Sequence, residues 1–213
     1  MAERSFIQRW GYAALRAFCR FGGVMLFSIR CKGRHNMPRE GAVLICSNHQ
    51  SFFDPILVGL TFNRRLNYLA RQSLFRFAPF RWLIQFLDAI PIDRDGLGLS
   101  GLRESLCRLK RGEIVLIFPE GTRTPNGSVL PLHPGFCALA RRGKVTLLPV
   151  GLDGAYDAWP RSAKFPVGSS IHICVGQPLT PAEIGELDDQ SLMNEVEQRI
   201  RRCHAQARSG RWR

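Results

Sequence analysis

The sequence predicts an α/β fold: one layered domain with a mostly parallel central sheet flanked by helices, preceded by an amphipathic helix. Short continuous apolar runs, such as Ala42 to Cys46 and Ile114 to Phe118, read as strands covered on both faces. Helical stretches alternate with these runs along most of the chain, as layered α/β folds require. Size sets the domain count, since 213 residues, 45% of them apolar, build one substantial core.

The elements follow in order. Residues 1–23 form the amphipathic segment. Arg9, Arg16 and Arg20 fall within about 40° of one another at 100° per residue. Phe6, Ile7, Trp10, Leu15, Phe18 and Phe21 fill the other faces. So narrow a basic stripe on a broad apolar arc suits a helix lying in a membrane interface, arginines toward headgroups. The plainer alternative is a helix packed on the domain. Gly22 and Gly23 are expected to end it. The main domain, residues 24–207, opens with an expected strand from Val24 to Lys32 and a turn at Arg34 to Pro38. After the strand Ala42 to Cys46 come a helix from Pro55 to Leu60 and a strand from Leu66 to Ala70. A helix at Phe77 to Leu87, a strand at Ala89 to Ile92 and a helix at Leu99 to Arg111 stopped by Gly112 follow. The strand Ile114 to Phe118 precedes a helix, Pro134 to Arg142, ended by Gly143. Val145 to Val150 and Ser170 to Val175 are the last strands. Thr180-Pro181 pairs a cap with a first-turn proline, and Leu192, Val196 and Ile200 recur at helical spacing. The basic tail, residues 208–213, is expected to fray.

Thirty Lys and Arg, 26 of them Arg, oppose 17 acidic residues, so the formal charge is +13. That balance favours anionic partners: lipid headgroups, acidic carriers, phosphorylated substrates or nucleic acid. The seven cysteines are dispersed and form no C-x-x-C pair, which argues for a reducing compartment and against a disulfide framework or zinc site. No cleavable secretory signal is expected, because the N-terminus lacks a basic start, apolar block and small-residue cleavage site. A spanning helix needs about 20 mostly apolar residues, and the best stretch, Phe6 to Ile29, is interrupted by three arginines.

Two polar clusters carry the chemistry. His49 follows the apolar strand Ala42 to Cys46, at the end where open α/β sheets place ligands. Asp54-Pro55 is a natural helix start. A tight turn would fold Asp54 back onto His49, fixing one tautomer and leaving the other ring nitrogen to take a proton. Alone, these two read as a loop histidine and a helix cap, and it is the second cluster that turns the reading toward catalysis. The second cluster, Phe118-Pro119-Glu120-Gly121-Thr122-Arg123, follows another apolar strand. Gly121 lets the backbone approach a ligand, Arg123 offers a planar fork suited to phosphate, and Glu120 can accept from hydroxyls. A polar turn with a local ion pair is the simpler reading of that string. Arg94, after the strand Ala89 to Ile92, adds a cation flanked by Asp93 and Asp95.

Together these segments resemble the glycerolipid acyltransferase family, which includes 1-acylglycerol-3-phosphate acyltransferase. Asn48 to Asp54 looks like its His-x4-Asp catalytic motif, and Phe118 to Arg123 its acceptor-binding motif. Ile92-Asp93-Arg94 looks like the intermediate motif and Leu148-Pro149-Val150 like the fourth, in family order, across roughly Val24 to Val175. The resemblance implies His49 and Asp54 as catalytic residues and Arg94, Glu120, Gly121, Thr122 and Arg123 as substrate ligands. It implies acyl transfer from acyl-CoA or an acyl carrier protein to a lysophospholipid hydroxyl, most directly 1-acylglycerol 3-phosphate to phosphatidic acid. No metal and no cofactor beyond the acyl donor is implied. The expected setting is an anionic membrane surface, on the cytoplasmic face of a bacterial inner membrane, with no nucleic-acid partner.

A non-phosphate lyso-lipid acceptor, such as a lyso-aminolipid, is the alternative substrate. A lipid thioesterase or hydrolase is a weaker rival, since Ser47 and Ser51 lie outside any G-x-S-x-G elbow. The charge also fits a nucleic-acid module, but no helix-turn-helix, zinc finger or RNA-binding signature accompanies it. Gly143-Lys144-Val145 lacks the spacing and hydroxyl of a P-loop.

Overall fold

A computed structural model describes residue 17 and residues 20–71, 89–92 and 99–211 of the chain. The expected helix at Phe77 to Leu87, Arg94 and most of the N-terminal segment lie outside those residues. Seven strands form one sheet: β1 (Arg30–Lys32), β2 (Val43–Ser47), β3 (Leu66–Arg71), β4 (Ala89–Ile92), β5 (Ile114–Ile117), β6 (Thr146–Asp153) and β7 (His172–Val175). Their order is β1-β7-β6-β2-β5-β3-β4. The run β6-β2-β5-β3-β4 is parallel, and β7 joins β6 antiparallel while pairing parallel with β1. The expected mostly parallel sheet is therefore observed, with one antiparallel junction.

Described helices cover both faces: α1 (residues 20–27), α2 (Asp54–Thr61), α3 (Leu99–Lys110), α4 (Gly135–Gly143), α5 (Ala155–Ala158), α6 (Pro181–Glu186) and α7 (Asp189–Arg211). Strand side chains alternate between the faces, as a period of two dictates. Leu44, Cys46, Val115, Ile117 and Leu147 pack with Leu109, Phe136, Leu139, Leu192, Val196 and Ile200. Val43, Ile45, Leu116, Leu148 and Val150 face Leu57, Val58 and Phe62 on the other side. Sheathing on both sides is why β2 and β5 read as unbroken apolar runs. Helix α7 lies against β6, and Gly151 makes this possible: a Cβ there would meet the backbone N of His204 at 2.2 Å.

Four local expectations are corrected. Val24 to Lys32 is not a strand; α1 runs to residue 27, Ser28 turns left-handed at φ 42°, and only Arg30–Lys32 joins the sheet. A continuous apolar run carries no period, so it fits a helix as well as a strand. Gly22 and Gly23 do not end the helix. Gly23 is buried, and a Cβ on it would come within 2.6 Å of Ile29 Cδ1, so it serves close packing. Arg20 turns inward, donating to the carbonyls of Leu60 (2.9 Å) and Phe62 (3.2 Å), where the end of α2 leaves acceptors exposed. The tail is not frayed through residue 211. Helix α7 continues to Arg211, which pairs with Asp153 at 2.9 Å and Asp157 at 2.7 Å.

Candidate active site

β2 and β5 are neighbours in parallel register, Cys46 beside Ile117, so the loops that leave them emerge together at one edge of the sheet. This single fact of topology joins the two polar clusters, 71 residues apart, in one place. Two hydrogen bonds tie the loops directly. The Thr124 amide donates to the His49 carbonyl at 2.8 Å, and the His49 amide donates to Glu120 Oε1 at 3.2 Å.

Asp54 is the first residue of α2, not its cap; Phe53 holds that position. Its carboxylate reaches back into the preceding turn instead. Oδ2 accepts from His49 Nδ1 at 2.7 Å and from the amides of Gln50 (2.5 Å) and Ser51 (2.7 Å). Asp54 is fully buried, while the His49 side chain keeps 20% of its exposure. An anion that already accepts from two amides accepts from the ring as well. Nδ1 therefore carries the proton, and Nε2 presents its lone pair on the opposite side of the ring. The ring is fixed by stacking on Phe118, centroids 4.1 Å apart and planes at 17°. The expected His49–Asp54 contact is thus present, made by a helix-start carboxylate turned backward.

Glu120 is 2% exposed, and Oε2 has no hydrogen bond among the described residues. Burial pushes its carboxyl up to about 8, against the His49 and Leu130 amides, with the nearby Asp54 charge adding to the rise. Much of it is neutral at pH 7. Its Oε1 braces the turn that carries His49. Gly121 takes φ 66°, a left-handed turn that donates to the Phe118 carbonyl at 3.0 Å. Thr122 and Arg123 are half-buried, and the Arg123 guanidinium lies 3.5 Å above the Phe52 ring centroid. Arg94 lies outside the described residues. β4, which precedes it, is parallel to β3 and opens toward the same edge. Leu148-Pro149-Val150 is a buried part of β6 against β2.

Sequence reasoning missed the supports behind the turn. Asn48 clamps β6 with both ends of its amide, donating to the Leu152 carbonyl (2.9 Å) and accepting from the Leu152 amide (2.7 Å). Gln50 donates to the Gly127 carbonyl at 2.7 Å, accepts from the Tyr156 amide at 3.3 Å and lies 3.4 Å from His204 Nε2. His204 in turn is 3.3 Å from Asp153. Burial raises the Asp153 carboxyl, but bonds from His204 and Arg211 outweigh it and hold it below its ordinary range. The one visible signal was two polar residues flanking His49 straight after an apolar strand. Ser47 and Ser51 are fully buried, with Oγ bonded to the carbonyls of Asn48 and Trp159. Neither is presented as a nucleophile beside His49.

Residues 28–153 match the family model described as Acyltransferase, well over half of the chain. The chain belongs to the acyltransferase family. It is similar to the 1-acyl-sn-glycerol-3-phosphate acyltransferase of Bacillus subtilis, 31% identical over 178 residues, covering 81% of each chain. It is also similar to the enzyme of that name from Pseudomonas aeruginosa, 33% identical over 175 residues, covering 79% of this chain and 64% of the relative. The crystal structure of the 1-acyl-sn-glycerophosphate (LPA) acyltransferase PlsC from Thermotoga maritima superposes with a TM-score of 0.83. That match covers 98% of this chain and 84% of the other at 24% identity, a likeness of fold. As an enzyme of the acyltransferase type, this chain has its two polar loops inside the matched segment.

Proposed function

We propose that this acyltransferase moves a fatty acyl group from acyl-CoA or an acyl carrier protein to the free hydroxyl of 1-acylglycerol 3-phosphate, giving phosphatidic acid. The observation that carries the reading is the 2.7 Å contact of His49 Nδ1 with buried Asp54, beside the Glu120–Arg123 loop. His49 Nε2 takes the hydroxyl proton as the oxygen attacks the thioester carbonyl. Asp54 stabilises the imidazolium that forms, and a base so placed contributes about 10²–10⁴ in rate. The thiolate leaves on collapse of the tetrahedral intermediate, and the imidazolium can return the proton to it. The acyl group passes straight to the acceptor oxygen. No step needs a metal or a further cofactor.

Arg123 and Arg94 hold the acceptor phosphate, turning binding energy into alignment of its hydroxyl. Gly121 and Thr122 shape the turn that presents Arg123. Glu120 serves the acceptor site by fixing that turn against His49. The names of the two relatives support the phosphate-bearing acceptor. Among the described residues no helix is long and apolar enough to cross a membrane. The enzyme meets its lipid from the surface, on the cytoplasmic face, with the N-terminal amphipathic segment against anionic headgroups.

Transfer of labelled acyl groups to 1-acylglycerol 3-phosphate, from each donor separately, tests the reading. Phosphatidic acid is the expected product. Product formed only on a lyso-aminolipid would replace the acceptor, and free fatty acid alone would replace the reaction class with hydrolysis.

A further inference from the structure

The large exposed apolar side chains of the described residues gather on segments that contact one another. Phe165 is 79% exposed and Val167 59%, in the loop from Trp159 to Ile171 between α5 and β7. Phe21, Met25 and Leu26 on α1 are 67–68% exposed, and Phe52 in the catalytic turn is 45% exposed. The three segments lie far apart in sequence and are knit together. The Ile171 amide donates to the Phe27 carbonyl at 3.0 Å, and Phe27 packs edge-on against Phe53 at 5.3 Å. Trp159 sits 5.3 Å from Phe52 and 4.8 Å from Phe53, and its Nε1 donates to the Ala163 carbonyl at 3.1 Å. Ser51 Oγ, two residues from His49, donates to the Trp159 carbonyl. The loop is therefore rooted in the catalytic turn itself.

Its chemistry identifies the occupant. Arg161 and Lys164 are exposed on the same loop, and the sequence carries no acidic residue between Asp157 and Glu183. Two exposed cations beside an exposed phenylalanine and valine on one short loop match an anionic lipid surface, cations to the headgroups and apolar side chains to the acyl boundary. We infer that residues 161–167 form a second lipid-contacting element, which together with α1 sets the catalytic turn of His49 against an anionic bilayer. This deepens the reading of the acceptor as a membrane lipid and rests on it.

The test measures co-sedimentation of the full chain with phosphatidylcholine vesicles, with and without phosphatidylglycerol. Phe165→Ser with Val167→Ser should lower partitioning to both vesicle types about tenfold. Arg161→Gln with Lys164→Gln should lower it about fivefold per cation on the anionic vesicles only. Transfer to a short-chain acceptor dispersed below its micelle concentration should stay at the parent rate, which also reports an intact fold. Parent-like partitioning of the Phe165/Val167 variant would overturn the inference. So would a lipid-free parent dimer that this variant splits while vesicle binding holds, because the patch would then join two copies. A parent that transfers to no acceptor but partitions through this loop would end the functional reading and leave the lipid contact standing.

Discussion

Asp54→Asn separates chemistry from architecture. In the parent, Oδ2 receives three donors, His49 Nδ1 and the amides of Gln50 and Ser51, within 2.7 Å, and the residue is fully buried. Asparagine keeps one oxygen and the shape but loses the charge. Its oxygen can still accept from the two amides, while the imidazolium formed during proton abstraction loses its counter-charge. The expected cost in kcat is about 10²–10⁴, or roughly 3–5 kcal/mol of barrier. The fold loses less. Bonds to a charged group are worth ~1.5–3 kcal/mol against ~1 for neutral ones, so two weakened amide bonds cost ~2 kcal/mol. For a chain of this size that lowers Tm by about 4–8 °C and leaves it folded at 25 °C. The assay is kcat at saturating donor and acceptor, with thermal unfolding followed by circular dichroism. A variant whose Tm falls as expected but whose kcat stays within roughly threefold of the parent refutes the reasoning. Asp54 would then hold the turn and nothing more.

Other outcomes follow from the same geometry. Arg123→Ala should raise the KM for the phosphate acceptor about 10–100-fold with kcat nearly held, and an unchanged KM would remove Arg123 from the phosphate site. Glu120 titrates near 8 when folded and near 4.5 when unfolded, so folding favours its protonated form; that stability is complete below about pH 4.5 and is lost as pH rises toward 8. Urea unfolding at pH 5 and pH 8 should show a loss on the order of a few kcal/mol in the parent that Glu120→Gln lacks, and equal losses in both would contradict it. Gly151→Ala must push α7 off β6, because its Cβ would sit 2.2 Å from the His204 N. A destabilisation of about 2–3 kcal/mol is expected in denaturant unfolding, and parent stability would show that the helix shifts at little cost.

The parts legible in sequence were those set by local pattern. β2 and β5 announced themselves as unbroken apolar runs because both faces are covered. Thr180 and Glu183 form the capping box that the pair Thr180-Pro181 foreshadowed. His49 and Asp54 meet within one turn, so their contact needed no long-range information. What could not be read depends on which distant strands adjoin. Asn48 finds Leu152, 104 residues away, only because β6 lies beside β2. Gln50 meets His204 only because α7 crosses β6 over Gly151. Glu120 read as a hydroxyl acceptor, yet the adjacency of β2 and β5 turns its Oε1 onto the His49 amide. The segment after Gly23 misled because apolar side chains exposed on α1 carry the same composition as a buried strand.

The most direct measurement is acyl transfer to 1-acylglycerol 3-phosphate by the parent and by His49→Ala, side by side, with each thioester donor. The account predicts phosphatidic acid from the parent and a loss of about 10²–10⁴ or more in the variant, which circular dichroism should show still folded at 25 °C. A folded His49→Ala enzyme that transfers at the parent rate would contradict it.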